Sequence, residues 1–209
     1  YGLVGSEMCI RDRPNPDQRR VLEEVTTLSN RLVVMSKLGS EFLHNIYNVP
    51  LEKIDIIPHG IPDVPFVDPS FNKDLFGVDG KIVLLSFGLL SSSKGIETVI
   101  SALPEIVARY PDIVYMVVGA THPHVIQNEG ETYRLSLQWL AQQKGVESNV
   151  IFYNRFVSSE ELVEFISTAD IYITPYFNEA QITSGTLAYT LGAGKALSLI
   201  HISEPTRPY

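Results

Sequence analysis

Lys81-Ile82-Val83-Leu84-Leu85-Ser86-Phe87-Gly88-Leu89-Leu90-Ser91-Ser92-Ser93-Lys94-Gly95-Ile96-Glu97 reads as a strand, a loop and the opening of a helix in one short run. Ile82 to Phe87 is a continuous apolar segment bounded by glycines, as expected of a strand buried on both faces. From Gly95 onward Ile96, Val99, Ile100, Leu103, Ile106 and Val107 recur at helical spacing, so the chain is expected to pass straight from strand to amphipathic helix. Ser91 to Ser93 are expected to supply capping oxygens at the helix entrance, and Gly88 of the same loop is a candidate substrate-binding residue. The unpaired amides of a first helical turn attract an anion, and Lys94 adds a full charge beside them. A capped surface helix with a solvated lysine is the competing reading.

A second junction repeats the arrangement after Ala169-Asp170-Ile171-Tyr172-Ile173-Thr174-Pro175. Ile171 and Ile173 alternate with Tyr172 and Thr174, which suits a strand that stops at a proline. Thr183-Ser184-Gly185 stands at the expected N-cap of a helix whose face is read as Leu187, Ala188, Leu191 and Gly192. Gly185 would permit a backbone contact that a Cβ obstructs. Glu179 lies in the loop between, at a strand's carboxyl end, where open α/β sheets bind ligands; a solvated loop carboxylate is the alternative.

Strand and helix alternate on either side of these junctions. Helices are expected at Asp17 to Ser29 and Lys37 to Tyr47, and strands at Arg31 to Met35 and Ile54 to Pro58. Further strands are expected at Ile113 to Val118, Val150 to Tyr153, Ile171 to Thr174 and from Ala196, separated by helices from Glu131, Ser158 and Ser184. Alternation of this length implies an α/β fold with a parallel sheet and helices on both faces. Residues 63–80, rich in proline and glycine, read as a linker between residues 14–62 and residues 81–197. Residues 1–13 and 198–209 resemble translated sequencing-adapter read-through and are read as foreign tails.

The chain has 209 residues, 44% of them hydrophobic and 19% charged, which is ordinary for a globular protein with a substantial core. A net charge of -8 argues against nucleic acid or an anionic membrane surface as the main partner, and requires any phosphate site to be built locally. No apolar stretch reaches the length of a membrane span. The single cysteine, Cys9, can form neither an internal disulfide nor a zinc cluster, and a cytoplasmic protein is expected.

Ile57-Pro58-His59-Gly60-Ile61, Phe87-Gly88-Leu89-Leu90 with Lys94-Gly95, Val117-Val118-Gly119, Ala169 to Pro175, Glu179 and Gly192-Ala193-Gly194-Lys195 follow one another in an order that resembles the retaining glycosyltransferases of family 4, of GT-B architecture. The resemblance implies a hexosyltransferase whose nucleotide-diphosphate-sugar donor binds the C-terminal Rossmann-like domain, here residues 81–197, with 14–62 the end of the acceptor domain. It also implies that Lys94 neutralises the donor diphosphate, that amides around Thr183, Ser184 and Gly185 bond to it, and that Glu179 touches the donor sugar. The nucleotide base would lie near Arg155-Phe156-Val157, and no cofactor is expected.

Three departures stand out. Leu89 occupies a position where the family has an arginine, which removes one expected phosphate clamp. At the family's spacing the carboxylate partner of Glu179 falls on Leu187, and aligned from Gly194-Lys195 it falls on Tyr189. The acceptor domain is represented only by its end, so the fragment is expected to be inactive on its own.

Other constellations are weaker. His122-Pro123-His124 with Glu129 admits three readings: a metal site short of a ligand, a loop near the sugar or diphosphate, and a solvated loop. No Asp-x-Asp pair points to a metal-bound sugar nucleotide, and no serine elbow points to a hydrolase. A GT-B epimerase or phosphorylase-like enzyme would reuse the diphosphate site, and a non-catalytic nucleotide-sugar-binding module would keep the fold alone. A dehydrogenase lacks its Gly-x-Gly-x-x-Gly fingerprint.

Overall fold

The computed structural model describes residues 15–61, 63–177 and 184–199, and the chain divides into two compact units. The first contains residues 15–61 together with 184–188; the second contains 63–177 and 189–199.

In the first unit α1 (Pro16–Leu28) opens on a capping box, the Asn15 side chain accepting from the Gln18 amide while Gln18 accepts from the Asn15 amide. β1 (Leu32–Val34) pairs in parallel with β2 (Ile54–Ile56), the two joined through α2 (Lys37–Tyr47), whose first turn is capped by Ser36. Val34, Leu43, Tyr47, Val49 and Ile54 form the core of this unit.

The second unit is built on five parallel strands. They are β3 (Ile82–Phe87), β4 (Ile113–Val118), β5 (Val150–Tyr153), β6 (Ile171–Thr174) and β7 (Ala196–Leu199), in the spatial order β5-β4-β3-β6-β7. Connecting helices are α3 (Ile96–Arg109), α4 (Pro123–Glu129), α5 (Thr132–Gln143) and α6 (Ser159–Thr168); of α7 (Gly185–Gly192), residues 185–188 count with the first unit and 189–192 with the second. Successive side chains of a strand point to opposite faces, so each face has its own core. Leu84, Ile113, Tyr115, Val117 and Ile173 pack with Ile96, Val99, Ile100 and Leu103 of α3 and Leu137 of α5. Val83, Leu85, Phe87, Val114, Met116, Val118 and Tyr172 pack with Phe165 and Ile166 of α6. All six residues of β4 are buried, as the continuous apolar run predicts.

A polar staple fixes the start of this unit. Lys73 Nζ donates to both oxygens of Asp170, at 2.8 and 3.1 Å, and to the Lys81 carbonyl at 2.6 Å, while Asp170 also accepts from the Val83 amide at 2.7 Å. One carboxylate thus ties the segment before β3, β3 itself and the start of β6. Lys195, in the Gly192 to Lys195 stretch, donates to the Ser167 carbonyl at 2.8 Å and lies 5.4 Å from the Phe66 ring centroid; burial pulls its pKa down. β7 runs through Ser198 and Leu199, which pair with Ile173 and Thr174 of β6.

Local details differ from expectation at both junctions. A 3-10 turn at Ser92–Lys94 separates β3 from α3, and the N-cap of α3 is Gly95, so the serines do not cap that helix. Ser91 and Ser93 instead bond to each other through their hydroxyls at 2.9 Å. On α7 it is Thr190 that is buried and Tyr189, with the following Ala193, that packs on a core, while Leu191 points to solvent. α4 had no counterpart among the expected helices; its apolar positions are too few for a periodic signal. Among the described residues no helix is long and apolar enough to cross a membrane.

Candidate functional site

Strand order places the site. From β3 the chain goes to β4 and β5 on one side of the sheet, whereas β6 and β7 lie on the other, so the β3/β6 boundary is the topological switch point. At such a boundary the loops leaving the carboxyl ends diverge and open a crevice, the usual ligand position of open α/β sheets. The loop after β3 contains Lys94 and the loop after β6 begins Pro175-Tyr176-Phe177.

These two loops touch closely. Gly95 has φ +65°, and a Cβ there would lie 1.9 Å from the Pro175 carbonyl oxygen. The Phe177 amide donates to the Ser93 carbonyl at 3.2 Å. Lys94 Nζ donates to the Tyr176 hydroxyl at 3.1 Å and sits 4.2 Å from the ring centroid. Among the described residues Lys94 makes no ion pair, so its charge is not neutralised by a carboxylate of this set.

On the other flank the loops after β3 and β4 extend the ladder beyond the strands. Gly88 donates to Val118, Leu90 to Ala120 and His122 to Leu90, each at 2.9 Å. This close approach requires small residues: a Cβ on Gly119 would be 2.0 Å from the Gly88 carbonyl oxygen. The hydroxyl of buried Thr121 donates to Glu131 at 2.6 Å, and Arg134 Nε donates to the same carboxylate oxygen at 2.9 Å. These bonds, that from Thr121 first, hold the Glu131 pKa below the ordinary range. Beneath the crevice Tyr115 donates to Ser86 at 2.9 Å and Ser86 to the Ile173 carbonyl at 2.6 Å, a buried relay across β4, β3 and β6. Burial pushes the Tyr115 phenol well above its usual pKa.

Gly88, Lys94 and His122 are therefore brought to the same end of one sheet, on loops after adjacent strands. Phe156 and Val157 follow β5 at that end, but they separate: Phe156 is 81% exposed while Val157 packs on the second core cluster. Just beyond, α6 is opened by a Ser158–Glu161 capping box, and Arg155 pairs with Glu161 at 2.7 Å. Ser184 caps α7, its hydroxyl accepting from the Leu187 amide at 3.3 Å. Ser184 and Gly185 count with the first unit, where a Cβ on Gly185 would come within 2.8 Å of His59 Nε2. The His59 Nδ1 lies 2.7 Å from the Gly60 carbonyl oxygen, which can only accept, so Nδ1 carries a proton. Glu179 and Thr183 lie outside the described residues. Among those described, no group of three acidic, histidine or cysteine side chains could hold a metal ion.

Tyr176 escaped the sequence reading. A proline that ends a strand marks a loop, yet nothing local says which side chain of that loop faces a lysine some 80 residues earlier, since that depends on β3 and β6 being neighbours. The first unit also has a shallow depression of about 410 Å³ lined by Thr27, Arg31, Glu52 and Lys53 among others. Its cations are engaged, Arg31 with Asp55 and Lys53 with the Thr26 carbonyl, and it opens at the amino ends of β1 and β2, away from the ligand end of a parallel pair.

A Rossmann-like parallel sheet with a lysine loop at its switch point is a doubly wound α/β arrangement, the class in which ligands usually bind beyond the carboxyl ends of the strands. The chain belongs to the glycosyl transferases group 1 family, whose profile matches residues 69–181. It is 26% identical over 173 residues to the D-inositol 3-phosphate glycosyltransferase of Mycobacterium sp. (strain JLS), covering 81% of this chain and 37% of that protein. It is 28% identical over 130 residues to the GDP-mannose-dependent alpha-(1-6)-phosphatidylinositol monomannoside mannosyltransferase of Mycolicibacterium smegmatis, covering 60% and 31%. The fold matches that of GT-B glycosyltransferase structures. Anabaena HepE in complex with UDP and glucose superposes with a TM-score of 0.72 at 17% identity, covering 88% of this chain and 48% of that one. Sucrose-phosphate synthase from Thermosynechococcus elongatus gives 0.71 at 20% identity, covering 94% and 46%. The chain spans about a third of the length of these curated relatives, 37% of one and 31% of the other.

Proposed function

We propose that the chain is the donor-binding part of a retaining, family 4-like hexosyltransferase that takes its sugar from a nucleotide diphosphate. Residues 81–197 form the donor domain in this reading, 63–80 the linker and 14–62 the end of the acceptor domain. The observation that carries it is the placement of Lys94 in the loop after β3, against the loop after β6, at the switch point of the sheet. The glycosyl transferases group 1 family and relatives that use GDP-mannose or bind UDP support the same donor class.

Lys94 neutralises the diphosphate in this scheme. As the glycosidic bond breaks, negative charge accumulates on the leaving phosphate, so a cation already in place stabilises the transition state more than the bound ground state. The resemblance assigns the amides around Thr183, Ser184 and Gly185 to the diphosphate and Glu179 to the donor sugar, and these roles belong to the same proposal. Exposed Phe156 offers a face for the nucleotide base, with Val157 holding the loop to the core. Gly88 lets the backbone come close to the ligand, and His122 borders the sugar or diphosphate. With only the end of an acceptor domain in residues 14–62, the chain alone binds donor without transferring it in this reading.

Calorimetry with UDP-glucose, GDP-mannose, UDP and GDP tests the reading. At least one should bind, and Lys94→Ala should weaken it about ten- to a hundredfold, the loss of a charge-assisted hydrogen bond. Absence of binding by all four, or an unchanged affinity in Lys94→Ala, refutes it. Efficient sugar transfer by the 209-residue chain would refute the division of labour.

A further inference from the structure

A lysine ammonium on a four-carbon stem samples many rotamers, and each must be surrendered when a phosphate is gripped. In this chain Lys94 already has a seat. Its Nζ donates to the Tyr176 hydroxyl at 3.1 Å and lies 4.2 Å from the ring centroid, so one neutral side chain holds it by a hydrogen bond and by the ring's negative face. The seat is built by the backbone. With the Pro175 carbonyl against Gly95 and the Phe177 amide bonded to Ser93, residues 93–95 lie beside 175–177 and Tyr176 falls opposite Lys94.

The chemistry of the partner matters. A carboxylate in that place would cancel the charge and compete with a phosphate. A phenol engages one of three N–H donors and leaves the full positive charge. The loops that meet here leave β3 and β6, so the contact bridges the switch point itself.

We propose that Tyr176 is a positioning residue: it holds the Lys94 ammonium ready at the β3/β6 crevice, so that a nucleoside diphosphate meets a cation already in place. This rests on the donor reading above. Preorganisation of this kind raises affinity by reducing what must be ordered on binding.

The test is a double-mutant cycle read by calorimetry with UDP and GDP, and with uridine and guanosine as probes lacking phosphate. Tyr176→Leu should weaken the better-bound diphosphate about three- to tenfold, and Tyr176→Phe, which keeps the ring, about twofold. Neither substitution should weaken binding further in a Lys94→Ala background, and neither should change nucleoside binding. Tyr176→Phe preserves the packing, so the cycle remains readable even if Tyr176→Leu fails to fold. Equal losses with and without Lys94, or no loss from either Tyr176 variant, overturn the proposal and leave the donor reading intact. Failure of the unaltered chain to bind either diphosphate, or indifference to Lys94→Ala, overturns the donor reading and this proposal with it.

Discussion

Gly95→Ala and Gly77→Ala together separate the conformational from the steric demand on the lysine loop. Both glycines have φ +65°, so an alanine at either meets the same left-handed penalty of about 1–2 kcal/mol. Gly77 has nothing within 4 Å of the added Cβ, and its cost should stop there. At Gly95 the new carbon would lie 1.9 Å from the Pro175 carbonyl oxygen, and the two loops must part by about 1 Å or more. That separation breaks the 3.2 Å bond from Phe177 to Ser93, worth about 1 kcal/mol, and adds overpacking strain of about 1–3 kcal/mol. Gly95→Ala should therefore cost about 3–6 kcal/mol against about 1–2 for Gly77→Ala. Urea unfolding followed by fluorescence measures the difference, because Trp139, the chain's single tryptophan, sits on α5 of the second unit. Equal destabilisation by the two variants would show that the approach of Gly95 to Pro175 does not constrain the loop.

Asp170→Asn should cost about 2–4 kcal/mol, because the largely buried Lys73 ammonium is left with carbonyl partners only; Lys73→Met should cost less, and the reverse order in urea titrations would refute the staple. Burial also raises the pKa of Tyr115 and Tyr133, the latter donating to Glu97 at 2.6 Å. Above the unfolded phenol value of about 10 the folded chain keeps protons that the unfolded chain releases, so stability present below that pH is lost as pH rises, by up to about 1.4 kcal/mol per pH unit per tyrosine. Tyr115→Phe should flatten this alkaline limb by about one tyrosine's share, and an unchanged slope would contradict the assignment.

The parallel fold was legible because its strands are continuous apolar runs: β4 and β3 need no partner information to be recognised as doubly buried. Ser158, followed by Glu161, and Ser184 likewise announce their helices through local chemistry. The 3-10 turn was hidden because the three serines before Lys94 look like caps, whereas the controlling fact is a carbonyl at Pro175, far along the chain. Lys94 was visible as a candidate from its loop. Its partner Tyr176 was not, since their meeting follows from sheet order, and the burial of Thr190 and the packing of partly buried Tyr189 in place of Leu191 are likewise set by the tertiary environment.

The pairing along the sheet is uneven in a way that bears on how the molecule opens. β3 is zipped to β4 through six registered positions, but to β6 through Leu84 and Leu85 only. The first partner is the next strand in the chain, whereas the second arrives after two more crossovers, at a larger loop-closure cost. The junction with the fewest registered positions is thus the one bordering Lys94, and its loop-closure cost predicts that it forms late. A ligand clasped there would act as a rivet across the weakest line of the sheet, and amide exchange in β6 and β7 should slow on its arrival more than exchange in β4.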